Sequence, residues 1–168
     1  MNYNIKKIGD LISEISIKNH ELIYKNLIGK NIKKEFIPSI ANQNDLDLSK
    51  YKIISKNTFA TNLMHVGRDE MLPISLYKES QNSIISNAYK TFIINKENEN
   101  KIIPEFLMIN LSTKEFDRYC WFISDSSIRG GLEWKRFLDI EIKVPDYEIQ
   151  ENIVNIYNSI LQKRDKAK

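Results

Sequence analysis

The sequence predicts an α+β domain: a mixed, mainly antiparallel sheet with packed helices, followed by a C-terminal coiled-coil-forming helix. Three observations carry this. Short runs rich in β-branched and aromatic residues succeed one another between Tyr51 and Asn95, separated by polar punctuation. Between Pro104 and Phe122 the apolar residues switch to steps of three and four. From Tyr147 onward Ile149, Ile153, Ile156 and Ile160 recur at spacings of four, three and four, a heptad seam. The chain therefore divides into a globular body, residues 1–146, and the start of a long helix, residues 147–168.

Taken in order, "KKIGDLISEIS" predicts a short helix after Gly9, and "IKNHELIYKNLIG" is apolar enough to pass through the core as strand and turn. "YKIISKNTFATN", "LPISLYKE", "NSIIS" and "AYKTFIIN" read as antiparallel strands. In "IPEFLMINLSTKEFDRYCWFI" Pro104 stands where a first helical turn tolerates it, and Phe106, Leu107, Leu111, Phe116 and Tyr119 or Cys120 face inward, predicting one helix over 104–122. "DSSIRGGLEWKRFLD" breaks at Gly130 and Gly131 and reads as a loop ending in a helical turn near Trp134. "IEIKVP" alternates as a strand and stops at Pro145. The last helix has no Gly or Pro, and Lys163, Arg164, Lys166 and Lys168 suit its C-terminus. It ends so near the final residue that a longer chain, or a half pairing with another copy, is expected.

At 168 residues the chain is one domain long, and its 42% hydrophobic and 28% charged residues are those of a folded protein. Cys120 is the only cysteine, which excludes an internal disulfide and a cysteine-based zinc site and reads as a buried hydrophobe. No run reaches the length of a membrane span, and "MNYNIKKIGDLIS" lacks the apolar core of a signal peptide, so a soluble cytoplasmic protein is expected. The net charge of +3 does not by itself define a polyanionic partner. Lys25, Lys30, Lys33 and Lys34 in "YKNLIGKNIKK" form either a basic face or an ordinary solvated surface.

Familiar catalytic signatures are missing. There is no phosphate-binding G-x-x-x-x-G-K, no G-x-G-x-x-G, no G-x-S-x-G, and two isolated histidines, His20 and His65, make no zinc helix. No cofactor and no metal are implied. One catalytic pattern survives: Asp125, then Glu141 and Lys143 on a strand preceded by Asp139, the layout of a metal-dependent nuclease. The same residues suit any half-exposed strand.

"MHVGRDEMLP" concentrates polar chemistry in an apolar setting. Gly67 beside Arg68 predicts a tight turn anchored by Met64, Val66, Met71 and Leu72. Arg68 offers a planar fork of donors, His65 donates or accepts, and Asp69 and Glu70 accept, a set able to read base edges but lacking a nucleophile. The alternative is that Arg68 pairs internally with Asp69, Glu70 or a distant acid. In "SSIRGGLEW", Ser126, Ser127, Arg129 and the glycine amides would suit a phosphate, or the segment is a plain turn with Trp134 closing the core. Asn87, Tyr89 and Lys90 in "ISNAYKTF" are polar groups at a strand junction.

In this order, "YKIISKNTFATNLMHVGRDEMLPISLY", "IISNAYKTFII", "IPEFLMINL", "FDRYCWF", "SSIRGGLEWKRFLDIEIKVP" and "EIQENIVNIY" resemble a target recognition domain of the DNA-specificity subunits of type I restriction-modification systems. The resemblance runs from about Lys6 to Ile160. It implies that residues 1–146 are a recognition domain reading one half of a split target in double-stranded DNA, and that residues 147–168 begin a spacer helix packing against its counterpart. The counterpart comes from a second recognition domain or from a homodimer. It further implies a non-catalytic chain, whose partners are methyltransferase subunits that bind S-adenosylmethionine and a motor-nuclease subunit. On this reading Arg68 and His65 read bases, supported by Asn62, Asp69 and Glu70. Lys56, Lys78, Tyr89, Lys90 and Arg129 meet the DNA backbone, and Ile149, Ile153, Ile156 and Ile160 meet the partner helix. "VPDYEIQ" keeps Pro145, Glu148 and Gln150 of the family's pattern but lacks a second proline. A protein-interaction module acting through its last helix is a further alternative.

Overall fold

The computed structural model describes residues 2–125 and 130–168. Among these residues ten strands form three sheets. The smallest pairs β1 (Tyr3–Lys7) antiparallel with β10 (Glu141–Pro145), Tyr3 opposite Pro145 and Lys7 opposite Glu141. Every residue of β1 is exposed, so no burial pattern marked it as a strand; the backbone of β10 supplies its order. The central sheet, antiparallel throughout, runs β2 (Ile12–Ile15), β9 (Lys90–Ile94), β6 (Phe59–Thr61), β7 (Ile74–Leu76). The third runs β4 (Phe36–Pro38), β3 (Leu27–Lys30), β8 (Ser83–Ile85), β5 (Lys52–Ile54), and its β3–β8 pairing is parallel. The sheets are thus mixed and mainly antiparallel.

All three residues of β6 are buried because the strand separates two cores. Phe59 stacks on Phe92 at 4.9 Å between ring centroids, and Phe92 meets Trp134 and Phe137 at 5.8 and 5.9 Å. Ala60 points the other way, into a smaller core with Ile28, Ile54, Tyr77 and Ile85. Alternation across the pleat is what lets one short strand serve both.

The helices correct several expectations. After Lys7 the chain makes only a single turn, α1 (Ile8–Leu11), before entering β2, because Ile12 joins the strand opposite Ile94. In the segment "IKNHELIYKNLIG" only Leu27 and Ile28 reach the apolar core, and Ile17, Leu22 and Ile23 are exposed. The turn there is organised by buried Asn19, whose amide donates to the Tyr24 carbonyl and accepts from the Tyr24 amide. The single helix expected over 104–122 is two, α3 (Pro104–Leu111) and α4 (Lys114–Ile123). Thr113 stops one and caps the other: its hydroxyl accepts from the Phe116 amide, while Ser112 bonds back to the Met108 carbonyl. Of the two inward candidates, Cys120 is the buried one and Tyr119 is exposed. Burial pushes the Cys120 thiol up to about 12, the behaviour of a packed hydrophobe.

Beside the turn α2 (Val66–Asp69) and the short α5 (Trp134–Leu138), the chain ends in α6 (Tyr147–Lys166), which packs on α3. Gln150 is fully buried at its start: its amide donates to the carbonyls of Lys101 and Pro145, and its oxygen accepts from the Ile103 amide. The body covers only the beginning of the heptad seam. Ile149 and Ile153 are half-buried, whereas Ile156 and Ile160 are 62% and 60% exposed. No described helix is long and apolar enough to cross a membrane.

Candidate nucleic-acid interface

Strand β6 delivers the chain at Thr61 to the loop that carries Arg68. Asn62 caps a 3-10 turn, Leu63–His65, by accepting from the Met64 amide, and its own amide donates to the Pro73 carbonyl at 3.1 Å, closing the loop's base. Asn62 thus acts as a cap holding the loop. The path continues through α2 and turns out at Glu70, whose φ of 52° is left-handed. Leu63, Val66 and Leu72 are buried roots, while Met64, expected to anchor the loop, is exposed because the 3-10 turn points it outward. The Leu72 amide donates to Asp117 Oδ1 at 2.8 Å, and the same oxygen receives Lys34 Nζ at 2.7 Å, so a largely buried ion pair fixes the far root.

Arg68 stands on this base 65% exposed. Its Nε and Nη2 donate to the two oxygens of Asp69 at 2.7 and 3.1 Å, and Nη2 lies 3.2 Å from His65 Nδ1. The hydrogen bond from Arg68 holds the Asp69 carboxyl below the usual carboxylate range. Internal pairing and recognition are therefore compatible: Asp69 orients the fork, and the remaining donors face solvent. Glu70 is exposed beside it. Gly67 does not make the expected tight turn. It lies within α2, and its amide donates to the Gly130 carbonyl at 2.6 Å, so the residue serves close approach of two backbones.

Lys90 reaches the same end of the central sheet, because it pairs with Thr61 across β9 and β6. Its Nζ donates to Glu14 at 2.8 Å and lies 5.3 Å from the centre of the Trp134 ring. Tyr89 is half-buried, with its phenol pushed up by burial, and its carbonyl accepts from Lys52 Nζ. Lys18 bonds the Asn87 side chain and the Lys50 carbonyl. Lys18 and Lys52 join this group without any signal in the sequence, since both sit in or beside strand-like runs. Burial first, then the charge of Lys18, holds the Lys52 ammonium below the ordinary lysine range.

Other expected contacts are not gathered here. Lys56 and Lys78 are exposed at the opposite end of the β6–β7 pair, where the Asn57 amide donates to the Tyr77 carbonyl. Lys78 instead lines a groove of about 790 Å³ with Lys33, Arg164 and Lys168. Within "YKNLIGKNIKK", Lys34 is taken up by Asp117, and Lys30, near enough to Asp69 for their charges to interact, is half-buried with its ammonium pushed down to about 8, chiefly by burial, so the stretch is not one basic face. Arg129, Ser126 and Ser127 lie outside the described residues. For the nuclease pattern, Glu141 and Lys143 share the exposed side of β10, where Lys143 Nζ lies 4.8 Å from the centre of the Tyr3 ring. Asp139 receives Lys7 at 3.1 Å, and among the described residues no three His, Cys, Asp or Glu side chains converge on a metal position.

No protein-family model and no curated protein matches the sequence. Solved structures do. The HsdS subunit from Thermoanaerobacter tengcongensis superposes with a TM-score of 0.65 at 13% identity, covering 98% of this chain and 43% of that one. A chain from a structure describing complex assembly and conformational transition of the type I R-M system gives 0.62 at 12% identity, covering 99% of this chain and 40% of that one. The chain thus spans less than half the length of these neighbours. Over nearly its whole length it has the fold of part of the HsdS subunit.

Proposed function

We propose that this domain binds double-stranded DNA sequence-specifically, reading one half of a bipartite target as part of the specificity subunit of a type I restriction-modification methyltransferase, and that it catalyses nothing itself. The observation that carries the reading is Arg68: an exposed guanidinium, oriented by Asp69 and His65 on a loop rooted at both ends, within an HsdS fold. The two donors on Nη1 that these bonds leave free can reach an acceptor on a guanine's major-groove edge. The ammonium groups of Lys18 and Lys90 at the same sheet end, opposed by Glu14, suit the phosphate backbone beside it.

The partners proposed are methyltransferase subunits that bind S-adenosylmethionine and a motor-nuclease subunit. The exposed half of the α6 seam, Ile156 and Ile160, takes a second helix from another recognition domain or a second copy of the chain. Selection from a randomised duplex library at fixed salt tests the DNA reading. Wild type enriches one short sequence; Arg68→Ala lowers the preference at one base position roughly tenfold to a hundredfold. Lys90→Ala weakens all sequences alike and flattens the salt dependence. Equal binding of enriched and random duplex by the wild type would refute the proposal.

A further inference from the structure

Two glycines from distant parts of the chain meet backbone to backbone. Besides the 2.6 Å bond from the Gly67 amide to the Gly130 carbonyl, the Leu132 amide donates to the Leu63 carbonyl at 2.9 Å, so residues 63–67 and 130–132 are tied at two points. The Gly131 carbonyl in turn accepts from the Asp125 amide at 2.9 Å, securing the second segment to the end of α4. A Cβ at Gly67 would fall 2.4 Å from the Gly130 oxygen and 2.6 Å from its Cα. Both are backbone atoms, so no rotamer change relieves the clash. The backbone at position 67 is that of a helical turn, which any residue adopts. Glycine there is explained by the contact.

We propose that Gly67 is a positioning residue: its apposition to Gly130 is a backbone strap that sets the direction of the adjoining Arg68, so that the two segments act as one reading head. This rests on the DNA-reading role proposed for Arg68. With a side chain at 67, the segments must part until its Cβ, 2.4 Å from the Gly130 oxygen in the present geometry, reaches the 3.4 Å of ordinary contact, carrying the guanidinium with them. Displacements of that size exceed what precise polar recognition tolerates.

The test compares wild type with Gly67→Ala and with Gly29→Ala in β3, whose Cβ would meet nothing within 4 Å. In wild type the Gly67 and Leu132 amides exchange slowly with solvent; in Gly67→Ala both exchange at least tenfold faster while β9 amides keep their protection. In the library selection Gly67→Ala loses at least tenfold in preference for the enriched sequence, with random-duplex affinity within twofold of wild type, and Gly29→Ala behaves as wild type. Rapid exchange of Gly67 and Leu132 in the wild type overturns the strap without any variant, even if Gly67→Ala fails to fold. A Gly67→Ala variant with wild-type preference overturns its role in reading. A wild type that enriches no sequence refutes the DNA reading and that role together, while slow exchange of the two amides still establishes the strap.

Discussion

Replacing Gln150 with leucine removes a hydrogen-bonding group without opening a large cavity, which makes its consequence calculable. In the native protein all three bonds of its buried amide are internal, at 3.0 Å from the Ile103 amide and 2.8 and 2.9 Å to the carbonyls of Lys101 and Pro145. A net hydrogen bond contributes about 0.5 to 1.5 kcal/mol, and a buried donor stranded without a partner costs about 1 to 3 kcal/mol. Carbonyls at Lys101 and Pro145 would lose one partner each, and the Ile103 amide would be stranded. Together these give a destabilisation of about 3 kcal/mol, which for a chain of this length lowers the melting temperature by roughly 6 to 12 °C. Urea unfolding followed by circular dichroism measures it: the midpoint falls while the slope stays constant. Gln150→Glu keeps the acceptor for Ile103 but sets a carboxylate against two carbonyls. Its folded-state pKa is therefore raised, and its stability recovers as pH falls. A loss under about 1 kcal/mol for Gln150→Leu, or a Gln150→Glu variant insensitive to pH, would refute the reasoning.

Burial lowers the Lys30 ammonium to about 8 in the folded protein against 10.5 when free. Between those values the unfolded chain binds more protons, so this group's contribution to stability rises with pH, and below about pH 8 the folded state carries the full cost of keeping the charge. Lys30→Met is expected to melt higher than wild type at pH 7, with the difference shrinking toward pH 10; a difference independent of pH contradicts the assignment. Ile156→Glu with Ile160→Glu leaves the melting temperature of the body nearly unchanged, because both side chains point away from it. In sedimentation experiments the pair abolishes any self-association and weakens assembly with a second recognition domain, and assembly unaffected by both charges removes the seam as a partner surface.

Much of the element order was legible. The strands from Lys52 to Ile94, the helical turn at Trp134, β10 and α6 follow from local composition and period, which depend on near neighbours. The split at Ser112 and Thr113 was present as a cap signal but masked by apolar residues that keep a helical period across it. Strand β1 was illegible because all its side chains are exposed and its order comes from β10, more than a hundred residues later. The residues proposed around Arg68 were singled out by their chemistry. Lys18 and Lys52 were not, since what distinguishes them from other lysines is the distant backbone they meet.

By itself, the sequence determined the α+β class, the last helix with its heptad spacing and the loop that carries Arg68, because patterning and turn chemistry act over a few residues. Tertiary structure alone decided which part of the seam stays open and which lysines share an end of the sheet with Arg68. It also decided why position 67 is glycine. That residue is shaped by a carbonyl sixty-three positions away, and only the folded chain brings the two within 2.6 Å.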